Sequence, residues 1–220
     1  MTIELNKNSF FVFDLDDTIY KEIDFLKSAY RSISAMLMQY IGVDIYEEMW
    51  TDYAGKKNVF AAIIEKYKEV LPNTTVEDLL YEYRTHVPEI SLANDVRHFL
   101  QQLKDTGVPL GLITDGRSIT QRNKLKALGI IDSFQDLIIS EEFGSEKPNP
   151  KNYLYFEDKY PDREFYFVGD NTRKDFVVPA QLGWHMICLE DSGQHIHRQD
   201  VTALPDGTHI ITSFSEITLI

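Results

Sequence analysis

Apolar and polar positions fall into blocks along this chain, and the pattern changes character twice. Residues 9 to 14 carry the run Phe10-Phe11-Val12-Phe13, which predicts a buried strand. Residues 23 to 87 then read as almost continuous helix, with Ala29, Ile33, Met36, Leu37 and Tyr40 at the spacing of one helical face. Gly42, the Ala54-Gly55 pair and Leu71-Pro72-Asn73 divide this block into about four helices. Thr75 with Asp78 three positions on is an N-terminal capping signal for the last of them. From residue 89 the periods alternate. Helices are predicted over 94–106, 118–128, 150–159 and 172–182, and strands over 109–114, 136–140, 165–169, 184–189 and 209–211. Apolar strands alternating with helices imply an α/β domain with a parallel sheet covered on both faces. The expected division is a core of residues 1–20 and 89–220, interrupted by a helical insertion over 21–88.

Ligands of such sheets bind outside the carboxyl ends of the strands. Polar residues follow three predicted strands at that edge: Asp14-Leu15-Asp16-Asp17-Thr18, Thr114-Asp115-Gly116 and Gly169-Asp170-Asn171. They converge only if the first strand is central, and the helical block then begins where a cap over the site would.

Ionised carboxylates beside a core strand cost several kcal/mol or more unless a cation compensates them. The period-two geometry of an extended chain puts Asp14, Asp16 and Thr18 on one side and Asp17 on the other. Asp14 is thus a candidate nucleophile, one that attacks phosphorus to form an aspartyl-phosphate. Asp16, two positions on, is a candidate general acid/base, with Thr18 tying the loop and Asp17 in a structural part. Thr114 and the free amides of Asp115-Gly116, ahead of a helix, form an anion site. Lys147, kept extended by Pro148, is placed to neutralise a carboxylate and a phosphoryl group. Asp170 and Asp175 offer hard oxygen ligands suited to Mg²⁺. Each feature has a plain alternative, such as a turn cap, a helix cap or a solvated lysine. Their order, each at a strand end, gives the set its weight.

Composition narrows the partners. The chain has 220 residues, 43% apolar and 26% charged, with a net charge of −13. That charge excludes non-specific binding to nucleic acid polymers, and any phosphate site must work through local cations. The single cysteine, Cys188, allows no intrachain disulfide. With no apolar leader over residues 1–8 and no stretch long enough to span a bilayer, the expectation is a cytoplasmic protein without membrane contact.

These motifs, DLDDT at Asp14 to Thr18, LITDG at Leu112 to Gly116, KP at Lys147-Pro148 and GDNTRKD at Gly169 to Asp175, resemble those of the haloacid dehalogenase (HAD) superfamily in content and order. The resemblance implies a Rossmann-like core with an inserted α-helical cap of the C1 type. It implies Asp14 as nucleophile and Mg²⁺ ligand, and Asp16 as general acid/base with its carbonyl on the metal. Thr114, Asp115 and Lys147 would bind phosphate, and Asp170 and Asp175 would complete the metal site. An acid at position 16 points away from the dehalogenases and the ATPases of the superfamily. It points to the C1-capped phosphatase branch, which includes phosphoglycolate phosphatase, β-phosphoglucomutase and pyrimidine 5'-nucleotidase. The implied activity is Mg²⁺-dependent hydrolysis of a small phosphorylated metabolite, a sugar phosphate or nucleoside monophosphate. A phosphomutase is the alternative, and a non-catalytic phospho-aspartate signalling module a remote one. In the cap, Lys56 and Lys57 form a basic tip at the place where C1-capped relatives contact the leaving group. Arg117 and Arg122 are expected to pair on the surface. His195 and His197 are too loosely spaced for a transition-metal site.

Overall fold

A computed structural model describes residues 1–220, which form two compact units. One comprises Met1–Ile23 with Ser91–Ile220 and the other Asp24–Ile90, against the 20/21 and 88/89 junctions expected from sequence.

The first unit is built on a six-stranded parallel sheet. Its strands are β2 (Ser9–Phe13), β3 (Leu110–Thr114), β4 (Asp136–Ile139), β5 (Glu164–Gly169), β6 (His185–Leu189) and β7 (Thr208–Ile211), in the order β4-β3-β2-β5-β6-β7. The chain builds outward from β2 on one side and then returns to pair β5 on the other, so the topological switch lies between β2 and β5. A separate small sheet pairs β1 (Thr2–Ile3) with β8 (Thr218–Leu219). These two-residue strands are too short to carry a period, and the sequence pattern does not show them.

Every residue of β2 is buried, and adjacent residues serve opposite faces. Phe11 and Phe13 meet Phe99 of α5 (Asn94–Asp105), with ring centroids 6.0 and 6.4 Å apart. Phe10 points the other way and meets Phe156 of α8 (Pro150–Lys159) at 5.8 Å. The sheet is therefore covered on both sides, as its continuous apolar strands require. Gly111 in β3 permits this packing: a Cβ there would lie 2.3 Å from the Phe156 ring. The remaining helices of this unit are α6 (Ser118–Ala127), the short α7 (Ser140–Phe143) and α9 (Val177–Leu182). The helix expected over 172–182 starts only at Val177, because residues 172–176 form turns that carry Asp175 inward.

The second unit holds four helices, α1 (Glu22–Ile41), α2 (Tyr46–Ala54), α3 (Val59–Lys66) and α4 (Val76–Thr85). Tyr30 packs edge-on against Trp50, Tyr53 and Phe60, above a core that includes Ile33, Leu37, Met49, Ile63 and Leu79. Thr75 and Asp78 form the reciprocal capping box of α4. Tyr40 departs from its expected face and is 57% exposed near the end of α1. No helix of the protein is long and apolar enough to cross a membrane.

Candidate active site

The polar residues converge at the carboxyl edge of β2, β3 and β5. There they line a cavity of about 110 Å³ that includes Asp14, Asp16, Asp17, Thr114, Lys147 and Asp170. Asp14 is the first residue beyond β2, and its N–H continues the ladder to Val168 O at 2.9 Å. Its carboxylate accepts from Lys147 Nζ and, at 3.3 Å, from the Thr18 hydroxyl. Lys147 is 6% exposed, so it is no solvated loop lysine. Its ammonium also lies 2.7 Å from Asp175 Oδ1, and its backbone N–H donates to Asp115 Oδ1 at 3.0 Å. The Lys147-Pro148 peptide is cis.

Asp175 is fully buried and closes the turn after β5 by accepting from Asn171 N at 2.9 Å. Gly169 is required for this approach, since a Cβ there would sit 2.5 Å from Asp175 Oδ2. Carboxylate oxygens of Asp14, Asp170 and Asp175 lie within 4.8 Å of one another. Only Lys147 among buried cations faces this trio. Burial pushes the Asp170 carboxyl up to about 8, with the charge of Asp175 adding to it. Burial also raises Asp14 well above the carboxylate range despite Lys147. Asp175 Oδ1 is within ion-pair range of Lys147 yet has no well-directed hydrogen bond. Three crowded, buried oxygen donors with one ammonium between them fit a hard divalent cation.

Asp16 is held differently. Lys124 Nζ lies 2.7 Å from Asp16 Oδ1, Gln121 Nε2 donates to Oδ2 at 2.8 Å, and the Tyr20 hydroxyl also donates. Burial opposes ionisation of Asp16, but the Lys124 charge and these donors outweigh it and hold the carboxyl below its ordinary value. Gln121 also donates to Thr114 Oγ1 at 2.6 Å, linking the second strand end to the first. Asp115 accepts from Lys174 Nζ at 2.9 Å, which makes Lys174 the second lysine, with Lys147, to line the cavity.

The expectation that Asp17 points away from Asp16 fails. Strand β2 ends at Phe13, so the period of two stops before these residues, and Asp17 has a left-handed backbone with φ 58°. Asp17 lines the same cavity, and it also accepts from Glu22 N at 2.8 Å and Ile196 N at 3.0 Å.

Arg117 and Arg122 pair with Glu141 and Glu142, as expected of surface residues. Lys56 and Lys57 belong to the helical unit. Lys56 is exposed with φ 55°, and Lys57 pairs with Asp52 at 2.6 Å. The two histidines separate: the His195 side chain is fully buried and the His197 side chain is 69% exposed. Burial, together with Lys21, holds His195 below its usual pKa.

Lys124 and Gln121 escaped the sequence reading. Their signal was there, since they sit three apart on α6 with Leu125 beside them and so share its buried face.

Comparison with known proteins agrees with this geometry. The family profile of the haloacid dehalogenase-like hydrolases matches residues 11–188. The glyceraldehyde 3-phosphate phosphatase of Methanocaldococcus jannaschii is 32% identical over 190 residues, covering 78% of this chain and 80% of its own. The ribulose-1,5-bisphosphate 5-phosphatase of Halopiger xanaduensis is 26% identical over 235 residues, covering 94% and 96%. Among solved structures, the HAD-hydrolase YfnB of Bacillus subtilis, bound to magnesium, superposes with a TM-score of 0.63 at 17% identity, covering 96% of this chain and 97% of its own. That likeness speaks for the fold. With a profile matching from β2 through β6 and each motif at its strand end, the chain belongs to the haloacid dehalogenase-like hydrolase family.

Proposed function

We propose that this protein is a divalent-metal-dependent phosphatase of a small sugar phosphate, working through an aspartyl-phosphate on Asp14. The observation that carries the reading is the pairing of two carboxylates in one cavity, held in opposite ways. Asp14 shares Lys147 with Asp175, and Asp16 is tied to Lys124.

The residues divide the work. Lys147, the Thr114 hydroxyl and the amides after β3 bind the phosphoryl oxygens, with Asp115 orienting Lys147 through its backbone. Asp14 lies in the floor of the cavity as the nucleophile, oriented by Lys147 and Thr18. Asp16 moves the proton, first to the leaving oxygen and then from the attacking water. Held ionised by Lys124 in the free protein, it is ready as a base. An arriving phosphate dianion raises its pKa by like-charge repulsion and so favours the protonated form needed for the first step. Asp14, Asp170, Asp175 and the Asp16 carbonyl would hold Mg²⁺. That ion, when bound, would supply charge screening for the phosphoryl group, while Asp14 and Lys147 fix where it sits.

The relatives named for phosphatases of glyceraldehyde 3-phosphate and ribulose 1,5-bisphosphate favour a short phosphosugar over a nucleotide. The pyrimidine 5'-nucleotidase YjjG of Escherichia coli matches only 77 residues. The helical unit is proposed as the cap that selects the leaving group, with Lys56 and Lys57 as its contacts.

The test is phosphate release from a panel of phosphorylated sugars and nucleotides with Mg²⁺ present. Sugar phosphates should be turned over fastest, without formation of isomeric sugar phosphates. Asp14→Asn should lower kcat by at least about 10³-fold with the fold intact. Retention of most activity in that variant refutes the mechanism.

A further inference from the structure

The loop between β6 and β7 reaches back to the acidic site. Asp191 Oδ1 accepts from the N–H groups of Gly193, Gln194 and His195 at 2.7, 2.8 and 2.9 Å, which folds the loop into a hook. The hook meets the site at three points. Ile196 N donates to Asp17 at 3.0 Å, and Gln199 Nε2 donates to the Asp170 carbonyl at 2.6 Å. His195 Nδ1 stands 3.2 Å from Asp170 Oδ2. That nitrogen is fully buried and has no well-directed hydrogen bond to Asp170 or to any other group. On the opposite edge of the ring, Lys21 Nζ lies 3.1 Å from Nε2.

Asp17, Asp170 and His195 lie close enough to share an ion, so His195 has two candidate roles, ligand or hydrogen-bond donor. The lysine decides between them. An ammonium only donates, so Nε2 must accept, and the proton of the neutral ring then sits on Nδ1. A protonated Nδ1 cannot ligate a metal, but it lies 3.2 Å from a carboxylate that can. Donors of this kind orient ligating carboxylates and typically change metal affinity by 10–100-fold when removed.

We infer that His195 is a positioning residue for Asp170. When the cation is bound, its Nδ1–H turns onto the nearby carboxylate oxygen so that the other faces the cation, and Lys21 fixes the tautomer that makes this arrangement work. The inference rests on the metal-site reading above, with Asp170 as a ligand.

The test is calorimetric titration of Mg²⁺ into the metal-free full chain, alongside thermal unfolding of the same metal-free samples. His195→Ala should weaken Mg²⁺ binding by about 10–100-fold. His195→Asn, whose side-chain amide takes the place of Nδ1–H, should recover most of the loss. An unchanged Mg²⁺ Kd in His195→Ala overturns the inference. So does a lower metal-free Tm with unchanged Kd, which would make the ring mere loop packing. Titration with Co²⁺ separates donor from ligand. Equal losses for both ions support positioning, whereas a much larger loss for Co²⁺ means that the nitrogen ligates and the inference fails. Asp170→Asn isolates the underlying reading. If it binds Mg²⁺ normally, the metal site itself is misassigned; if it loses binding while His195→Ala does not, only the positioning role falls.

Discussion

Replacing Lys124 with methionine removes the cation that holds Asp16 while keeping an unbranched stem. Lys124 is 3% exposed and its ammonium lies 2.7 Å from Asp16 Oδ1. The donors left behind, Gln121 and Tyr20, are neutral. An opposite charge at such a distance lowers a carboxyl pKa by about 1–3 units. Its loss should therefore raise Asp16 by about that much, which corresponds to roughly 1.4–4 kcal/mol of support for the ionised form.

The sign of the pH dependence follows. Asp16 is depressed in the folded protein, so its contribution to stability is present above the unfolded pKa of about 3.9 and fades as pH falls through the lower folded value. Lys124→Met should thus be destabilised by about 1–4 kcal/mol at pH 7 in urea unfolding, with a deficit that shrinks toward pH 3. In the Mg²⁺-saturated enzyme, the acidic limb of kcat for an aryl phosphate, whose turnover waits on Asp16 taking a proton from the attacking water, should move up by about 1–3 pH units. An unmoved limb together with a deficit independent of pH would refute the argument, because Lys124 would then be acting by packing alone.

Two further outcomes follow from the same site. Acids raised in the folded state stabilise it below their unfolded pKa and lose that contribution as pH rises through the folded value; burial sets Asp170 and Glu22 at about 8. The metal-free protein should lose on the order of several kcal/mol between pH 5 and pH 9 in urea unfolding, with added Mg²⁺ restoring stability at pH 8, and a flat profile would contradict this. Gly169→Ala forces Asp175 from its place, at a cost of about 1–3 kcal/mol, or about 2–4 °C in Tm per kcal/mol, and should weaken Mg²⁺ binding. Wild-type Tm and Kd in that variant would show that the turn relaxes freely.

Asp14, Thr114 and Asp170 were legible in the sequence because each ends an apolar run, and parallel strands bring such ends to one edge. The alternation after residue 89 was readable for the same reason. Lys147 was visible only through its place in the order of motifs, since its burial depends on Asp14 and Asp175, far away in the chain. Lys124 was hidden by its neighbours: Arg122 and Lys126 on the same helix make α6 look like a solvated face. Asp17 departs from the expected side because strand geometry does not extend to it: the last ladder bond is that of Asp14 N–H to Val168 O, and Asp17 turns into a left-handed backbone. The hook carrying His195 has no period at all. Its shape comes from one aspartate and three amides.

The charge balance of the cavity joins these points into a constraint on binding order. With Asp14, Asp170 and Asp175 all ionised, the trio would exceed Lys147 by two negative charges in a buried space. Burial and the mutual repulsion of these carboxylates raise Asp14 and Asp170, which favours protons on the trio when no cation is bound. A phosphate dianion entering then would meet carboxyls it pushes further toward neutrality, and Lys147 already committed to two of them. With a divalent cation held by the trio, Asp14, Asp170 and Asp175 would favour their ionised forms, their excess charge would be offset, and Lys147 would be free to share its charge with the incoming phosphate. In a protein with a net charge of −13, no long-range field draws that anion in. On this reading of the site, substrate binding as well as reaction would depend on the cation, and the expected order is metal before phosphate.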